Sequence, residues 1–296
     1  MPRTLVLGSG VSALAYLLHD PEAVALAGQQ AGGLFAKQQQ LGPQLIWVDP
    51  LTKKLLEVLG LPTEAKLVRV GYHHPTVEGH VTAELPEGFR EAYSLKTRGT
   101  VPRASHLSGG RQTFSAYTVP VDKLVAKLHQ VLELRFIKDS ALEVNLWDRT
   151  VAGQRLYKFD TLISTVPAPA LLKLLQRHDL LSELQARDKA YETWKLSELP
   201  AWGQRASEVA LDYIYVADSS LPYHRVKLGP EHAVVEFTLP QGERRQELSP
   251  SAVLHPGGQI ISGGELLASL PSFIRPLGRY AEWQHGVKLN EVLAKI

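Results

Sequence analysis

The sequence predicts an α/β fold in which one layer is assembled from separated segments, with an α+β region inserted between them. Three observations lead there. A continuous apolar run, Thr4 to Leu7, passes through two glycines into a short helix and a second apolar run. Another continuous apolar run, Thr161 to Ser164, stands in mid-chain, and helical patterning returns at the end. Finally, 296 residues with 44% hydrophobic content suit one large or two interlocked domains.

The elements follow in order. Thr4-Leu5-Val6-Leu7 does not alternate, the pattern of a strand buried on both faces. Gly8-Ser9-Gly10 comes next, and Ser12 to Leu18 is a short helix stopped before Pro21. Ala23 to Ala27 is the second strand and completes a β-turn-α-β unit. Pro50 to Gly60 carries Leu51, Leu55, Leu56, Val58 and Leu59 at helical spacing and ends at glycine. From Val68 to Gly110, frequent Gly, Pro and His predict strand and loop. Val121 to Leu132 is an amphipathic helix, with Leu124, Leu128, Val131 and Leu132 on one face. Arg135 to Asp160 reads as a meander of short strands leading into the buried strand at Thr161. Leu171 to Leu184 reads as helix, Val209 to Val216 and Ala233 to Phe237 as strands, and Asn290 to Lys295 as a closing helix. On this pattern residues 1–50, 112–175 and 255–296 form one domain, and residues 51–111 and 176–254 the other.

Composition excludes more than it assigns. With 32 Lys+Arg against 30 Asp+Glu, the net charge of +2 excludes a broad polybasic nucleic-acid binder and an acidic tail protein. The absence of cysteine excludes a disulfide scaffold, a thiolate metal site and a cysteine nucleophile. The apolar start is only a strand's length and is followed by no cleavage site. No stretch approaches the roughly 18 apolar residues of a membrane span. A soluble, cytoplasmic protein is expected, with no membrane partner.

Gly8-x-Gly10-x-x-Ala13 lies between a buried strand and a helix, the setting in which such a motif binds a dinucleotide. Gly8 permits the tight turn, Gly10 lets the backbone approach a pyrophosphate, and Ala13 allows close helix–strand packing. The helix start then aims its N–H groups at the phosphates. The acidic residue that holds the ribose about 20 residues further on is missing, since no Asp or Glu stands between Glu22 and Asp49. Gln29 or Gln30 offers a neutral hydrogen-bonding substitute, which argues against a standard NAD site.

Other residue clusters invite chemistry. Between Ala92 and Val121 there is no acid, while Lys96, Arg98, Arg103, Arg111 and His106 occur. This is either a solvated basic loop or a wall facing an anionic substrate such as a nucleotide or DNA strand. Tyr213 and Tyr215 share one strand face, near Tyr223, His224 and Arg225. They form either a substrate-facing group or an aromatic packing surface with an exposed turn histidine. His73-His74 with Glu78 and His80 lacks a zinc motif, so no metal is expected. No GxSxG elbow exists, which disfavours a hydrolase. Trp147, Trp194 and Trp202 are expected in the core or an interface.

Further segments bring a family into view. Ala31-Gly32-Gly33-Leu34 after the second strand, Tyr157 to Leu171 with Thr165 and Pro167, and Pro276-Leu-Gly278-Arg279-Tyr280-Ala-Glu282-Trp283 are collinear with the signatures of the flavin amine oxidase-like superfamily, which the chain resembles. Gly42-Pro-Gln44-Leu, Tyr213 to Asp218 and Pro222-Tyr223-His224-Arg225 resemble its UDP-galactopyranose mutase branch in particular. The resemblance implies a Rossmann-like FAD-binding domain built from discontinuous segments with an inserted α+β substrate domain. It implies FAD held by Gly8, Gly10, Val11, Ser12, Ala13, Gln29, Gln30, Gly32, Gly33, Leu34, Leu142, Thr165, Pro167, Gly278, Arg279, Val287 and Lys288. The helix after Gly286 would aim its N-terminus at the flavin. It makes Arg225 the candidate for holding an anionic group, His224 for proton transfer near neutral pH, and Tyr215 a third catalytic candidate. The chain departs from the family in lacking the ribose acid and in being short.

The leading expectation is an FAD-dependent enzyme that removes hydride at the C–N bond of a small or nucleotide-linked amine. The alternatives are a UDP-galactopyranose mutase-like isomerase, an FAD-dependent lyase removing an amino-acid fragment from hypermodified thymine in phage DNA, and a flavin-binding protein without catalysis.

Overall fold

A computed structural model describes residues 4–28, 41, 44–76, 81–100, 112–132, 135–240, 248–285 and 287–296. In chain order its elements begin with β1 (Thr4–Leu7), α1 (Val11–His19), β2 (Val24–Ala27), β3 (Gln44–Trp47), α2 (Pro50–Val58) and β4 (Ala65–His73). There follow α3 (Phe89–Arg98), β5 (Thr113–Val119), α4 (Val121–Leu132), β6 (Phe136–Lys138), β7 (Glu143–Asn145), β8 (Thr150–Ala152) and β9 (Leu156–Lys158). Next come β10 (Thr161–Ser164), α5 (Ala168–Leu174), α6 (His178–Leu181), β11 (Gln185–Lys195), α7 (Ala201–Glu208) and β12 (Tyr213–Val216). The chain ends through β13 (Tyr223–Leu228), β14 (His232–Leu239), β15 (Val253–Ser262), β16 (Ile274–Pro276) and α8 (Leu289–Ala294).

These elements form two compact units. The first holds Met1–Glu64, Tyr117–Gln185 and Ser262–Ile296. Its sheet runs β16-β10-β1-β2-β6, and each of these neighbouring pairs is parallel. Leu5 pairs with both Leu162 and Val24. Parallel neighbours require crossovers, and α1 supplies the one between β1 and β2. Val6, Ala25 and Ile163 pack with Leu14 and Leu17 of α1, Leu55 and Leu56 of α2, Leu124 of α4 and Val292 of α8. Leu55, Leu56, Leu59 and Leu61 draw residues 51–64 into this unit, later than the break expected near residue 50. A small antiparallel sheet, β7-β8-β9, lies in the same unit.

The second unit holds Ala65–Ala116 and Ala186–Ile261. Its strands run β15-β11-β14-β13-β12-β4-β5. The pairs β11–β14, β14–β13 and β13–β12 are antiparallel, whereas β12–β4 is parallel. Ile214, Val216, Val226, Val235 and Phe237 of its strands pack with Trp202 and Ala206 of α7. Tyr72 and Phe89 anchor a neighbouring cluster with Tyr93, Tyr213 and Tyr215.

Several expectations are corrected. The stretch read as strand and loop contains the helix α3, whose buried positions include Ser94 and Thr97 and so lack an apolar repeat. The helix expected from Leu171 to Leu184 is interrupted, with Gln176 at φ 56° between α5 and α6. β11 was not expected because Asp188, Lys189 and Glu192 obscure its alternation, and β15 because it contains Pro256-Gly257-Gly258. Of the two places expected for Trp147, the core is excluded: it stands 97% exposed in the turn between β7 and β8.

Candidate functional site: a glycine cradle and a buried charge cluster

In the first unit, the C-terminal ends of β1 and β10 and the chain after β16 converge on the start of α1. Gly8 has φ +108°, and its N–H donates to the Leu26 carbonyl at 3.0 Å. A Cβ there would lie 2.4 Å from Thr165 Oγ1. Thr165 is itself fixed, donating to the Leu7 carbonyl from its N–H at 2.9 Å and its hydroxyl at 2.8 Å. Gly278 has φ +100°, and a Cβ on it would come 2.4 Å from Ser12 Oγ. Both glycines are therefore forced by conformation and by close approach.

Gly10 differs. It is the N-cap of α1 in an extended conformation, with no side-chain cap and no acidic residue in the first turn. Among the described residues, nothing lies within 4 Å of where its Cβ would be. The first-turn N–H groups of Val11, Ser12 and Ala13 thus form the positive end of the helix dipole without a capping side chain. An anion fits there by charge and by space. Nearby, Ser164 Oγ is fully buried without a hydrogen-bond partner.

The remaining first-unit candidates fall into place individually. Pro167 is the N-cap of α5, and the next N–H, of Ala168, donates to the Tyr280 carbonyl at 2.8 Å. Arg279 Nη2 donates to His285 Nδ1 at 2.7 Å. Val287 is buried in the core, and Lys288, the N-cap of α8, sets its Nζ 4.0 Å from the centroid of the Trp47 ring. Gly28, at the end of β2, packs so closely on Ser140 that a Cβ would lie 1.9 Å from its Oγ. Leu142, two residues beyond Ser140, is 70% exposed. Gln29, Gln30, Gly32, Gly33, Leu34 and Gly286 lie outside the described residues.

In the second unit the decisive feature is a bulge. Tyr223 pairs with Phe237 and Arg225 with Glu236, so His224 is an extra residue in β13. Regular alternation would send His224 and Arg225 to opposite faces. With the bulge, both reach Glu236. His224 Nε2 lies 3.1 Å from Glu236 Oε1, and Arg225 pairs with Oε2. Lys189 of β11 pairs with Oε1 as well. Burial alone would raise the Glu236 carboxyl, but Arg225 and Lys189, with the His224 hydrogen bond, hold it well below the usual carboxylate range.

A carboxylate can only accept, so His224 Nε2 carries the hydrogen, and Nδ1 accepts from the Thr238 hydroxyl at 3.1 Å. Burial pushes the imidazole down to about 4, against the pull of Glu236. The physical cause is plain: two cations already neutralise Glu236, and a third positive charge would be in excess. His224 is therefore a ring bonded at both nitrogens and held toward its neutral form.

Tyrosines surround Arg225. Its Cζ lies 5.5 Å from the Tyr213 ring centroid. Tyr93 meets His224 edge-on at 5.9 Å and Tyr215 at 5.6 Å, and Tyr72 stacks on Tyr215 at 6.1 Å. Burial pushes the Tyr213 hydroxyl up to about 12, so it stays protonated. Sequence reasoning missed Glu236 and Lys189. A single acid inside the apolar run His232–Leu239 was the available signal, because a lone buried carboxylate demands cationic partners.

His73 stacks on Trp202 at 4.3 Å and lies 3.7 Å from Asp218, whereas His74 Nδ1 bonds Thr76 Oγ1 at 2.7 Å; His80 and Glu78 lie outside the described residues. Among the described residues no group of three His, Cys, Asp or Glu is placed to hold a metal. None of their helices is long and apolar enough to cross a membrane. Of the acid-free basic stretch, Lys96 and Arg98 are on α3 rather than a loop, while Arg103, His106 and Arg111 lie outside the described residues.

No protein-family model and no curated protein sequence matches the chain. Solved structures do. Reduced UDP-galactopyranose mutase matches with a TM-score of 0.66 at 11% identity, over 99% of this chain and 93% of that one. An oxidoreductase from Methanosarcina mazei matches with a TM-score of 0.57 at 9% identity, over 98% and 97%. A putrescine oxidase double mutant from a redesign of cofactor binding matches with a TM-score of 0.50 at 12% identity, over 83% and 78%. At these identities the likeness is one of fold, and over almost its whole length this chain has the fold of UDP-galactopyranose mutase.

Proposed function

We propose that the chain is an FAD-dependent enzyme that removes hydride at the C–N bond of a small or nucleotide-linked amine. The observation that carries this reading is the cradle: an uncapped helix start with open space above Gly10, walled by glycines at 8 and 278 that admit no side chain. The matched folds of a reduced mutase, an oxidoreductase and a putrescine oxidase support it.

In this reading the first-turn N–H groups of α1 hold the pyrophosphate, and Gly8 and Gly10 let it approach. Gln29 or Gln30 hydrogen-bonds the ribose in place of the missing acid. The exposed Leu142 covers the adenine, and Thr165, Pro167, Gly278, Arg279, Val287 and Lys288 line the remainder. Bound FAD supplies a two-electron acceptor, which the side chains of this chain cannot. Arg225, aimed by Glu236, holds an anionic group of the substrate, while His224 fixes the bulge and Tyr215 packs beside it as a substrate contact. The second unit is then the substrate domain and the first the FAD domain.

The purified protein should show the visible absorbance of a flavin, and added FAD should raise its melting temperature. A colourless protein whose melting is indifferent to FAD ends the proposal. Coverage of 99% of the chain by the reduced mutase favours one second reading, a non-redox flavin isomerase. Oxygen consumption with small amines supports the oxidase, and activity seen only after prior reduction supports the isomerase.

A further inference from the structure

A cavity of about 440 Å³ lies within the first unit, in the size range of small-molecule sites. It forms at the rim of the parallel sheet, where β16 is the edge strand and all three of its residues line the space. The walls are aliphatic: Ile163 of β10, Ile274 of β16, Leu267, Leu270 and Leu277 are each at most 9% exposed. Polar side chains interrupt them at three points. Glu282 is satisfied, since Oε1 accepts from the Gly278 N–H at 3.0 Å and Oε2 pairs with Lys295. Tyr16 of α1 is only 9% exposed, and its hydroxyl bonds to no described residue. Arg275 Nη2 donates to the Lys295 carbonyl at 3.3 Å, and no carboxylate of the described residues pairs with its guanidinium. Arg275 is the register partner of Ile163, and Tyr16 packs in the same core cluster as Ile163, so both polar groups flank one wall of the cavity.

We infer that this cavity is a binding site for a small monocarboxylic acid with an apolar body, its hydrocarbon chain against the leucines and its carboxylate on Arg275 and the Tyr16 hydroxyl. A guanidinium has five donors, so one bond to a backbone carbonyl leaves Arg275 able to hold an anion. Other ligand chemistries fit less well. A cation would meet Arg275 and Lys295 as like charges. A molecule without a polar group would strip the Tyr16 hydroxyl and the guanidinium of water and return no hydrogen bond. A dianion would bring a second charge where the second cation, Lys295, is already held by Glu282. None of the residues assigned to FAD lines this cavity, so the inference stands whether or not the chain binds FAD.

The test is calorimetric titration of the full chain with octanoate and, separately, with octylammonium, a cation carrying the same hydrocarbon chain. Saturable binding of octanoate, at least about tenfold tighter than that of octylammonium, is expected. Arg275→Gln should weaken octanoate binding about tenfold, the loss of one charge-assisted hydrogen bond. Tyr16→Phe should weaken it about threefold, the loss of one neutral hydrogen bond. Ala268→Trp should abolish it by filling the cavity. Ala268 is an exposed lining residue, so that variant keeps the fold even where substitution of the buried leucines does not. Failure of octanoate to saturate, equal affinity for octylammonium, or unchanged octanoate affinity in either Arg275→Gln or Ala268→Trp would each overturn the inference.

Discussion

Gly8 and Gly10 stand two residues apart and constrain the chain for different reasons. At Gly8 an alanine must adopt φ +108° and press its Cβ to 2.4 Å from Thr165 Oγ1. Gly8→Ala should therefore lower stability by about 1–3 kcal/mol in urea unfolding, even without cofactor. At Gly10 the backbone is ordinary and no described residue fills the space. Gly10→Ala should leave unfolding of the FAD-free protein within about 0.5 kcal/mol while weakening FAD binding, because the new methyl occupies the approach path. Equal destabilisation by the two substitutions would show that both glycines serve only the turn. Glu236 is the opposite sort of residue, kept for its charge. Glu236→Ala removes the carboxylate shared by Lys189, Arg225 and His224, and breaking a buried pair in this way costs about 3–5 kcal/mol. Urea unfolding of that variant should show the loss; a change below about 1 kcal/mol would mean the cations find water.

Among elements, α1 carries the sharpest conflict between stability and function. Its N-cap is glycine, where Ser, Asp or Asn would bond the free first-turn amides. Gly10→Asp should therefore stabilise the FAD-free protein by about 0.5–2 kcal/mol and abolish FAD binding, since its carboxylate takes the place of the phosphate. Thermal melts with and without FAD read both effects, and a variant that still gains stability from FAD would refute the assigned pyrophosphate site. The same element shows what was legible in the sequence. β1, α1, β2 and β10 announced themselves because strands buried on both faces have no reason to alternate, and the glycine motif fixed their turn. β11 stayed hidden because its charged residues pair inside the sheet: Lys189 points to Glu236, a partner 47 residues away that no local pattern reveals. The bulge at His224 was hidden for a related reason. It exists only in the register between two strands, so the sequence showed His224 and Arg225 as neighbours without showing their common partner.

At the scale of the molecule, two cores share a chain that passes between them at residues 64, 116, 185 and 261. They answer acid differently. In the second unit His224 falls from an ordinary 6.5 to about 4, and Glu236 lies well below its ordinary 4.5. In both cases the unfolded chain takes up protons before the folded one does. The stability they provide is complete above about pH 6.5, declines as His224's unfolded form protonates, and declines further once pH passes below about 4.5. In the first unit the comparable buried group is Asp139, which accepts from the Tyr157 hydroxyl at 2.7 Å and the Gln154 N–H at 2.8 Å. These bonds lower it from 3.8, so its contribution is retained until the pH falls below that value. The second unit should therefore loosen first on mild acidification. Incubation near pH 5 followed by a hydrogen-exchange pulse at a common pH should label peptides from β13 and β14 before those from β1, α1 and β10. Earlier labelling of the first unit, or identical labelling that persists in a His224→Phe variant, would show that the buried cluster does not set the acid limit.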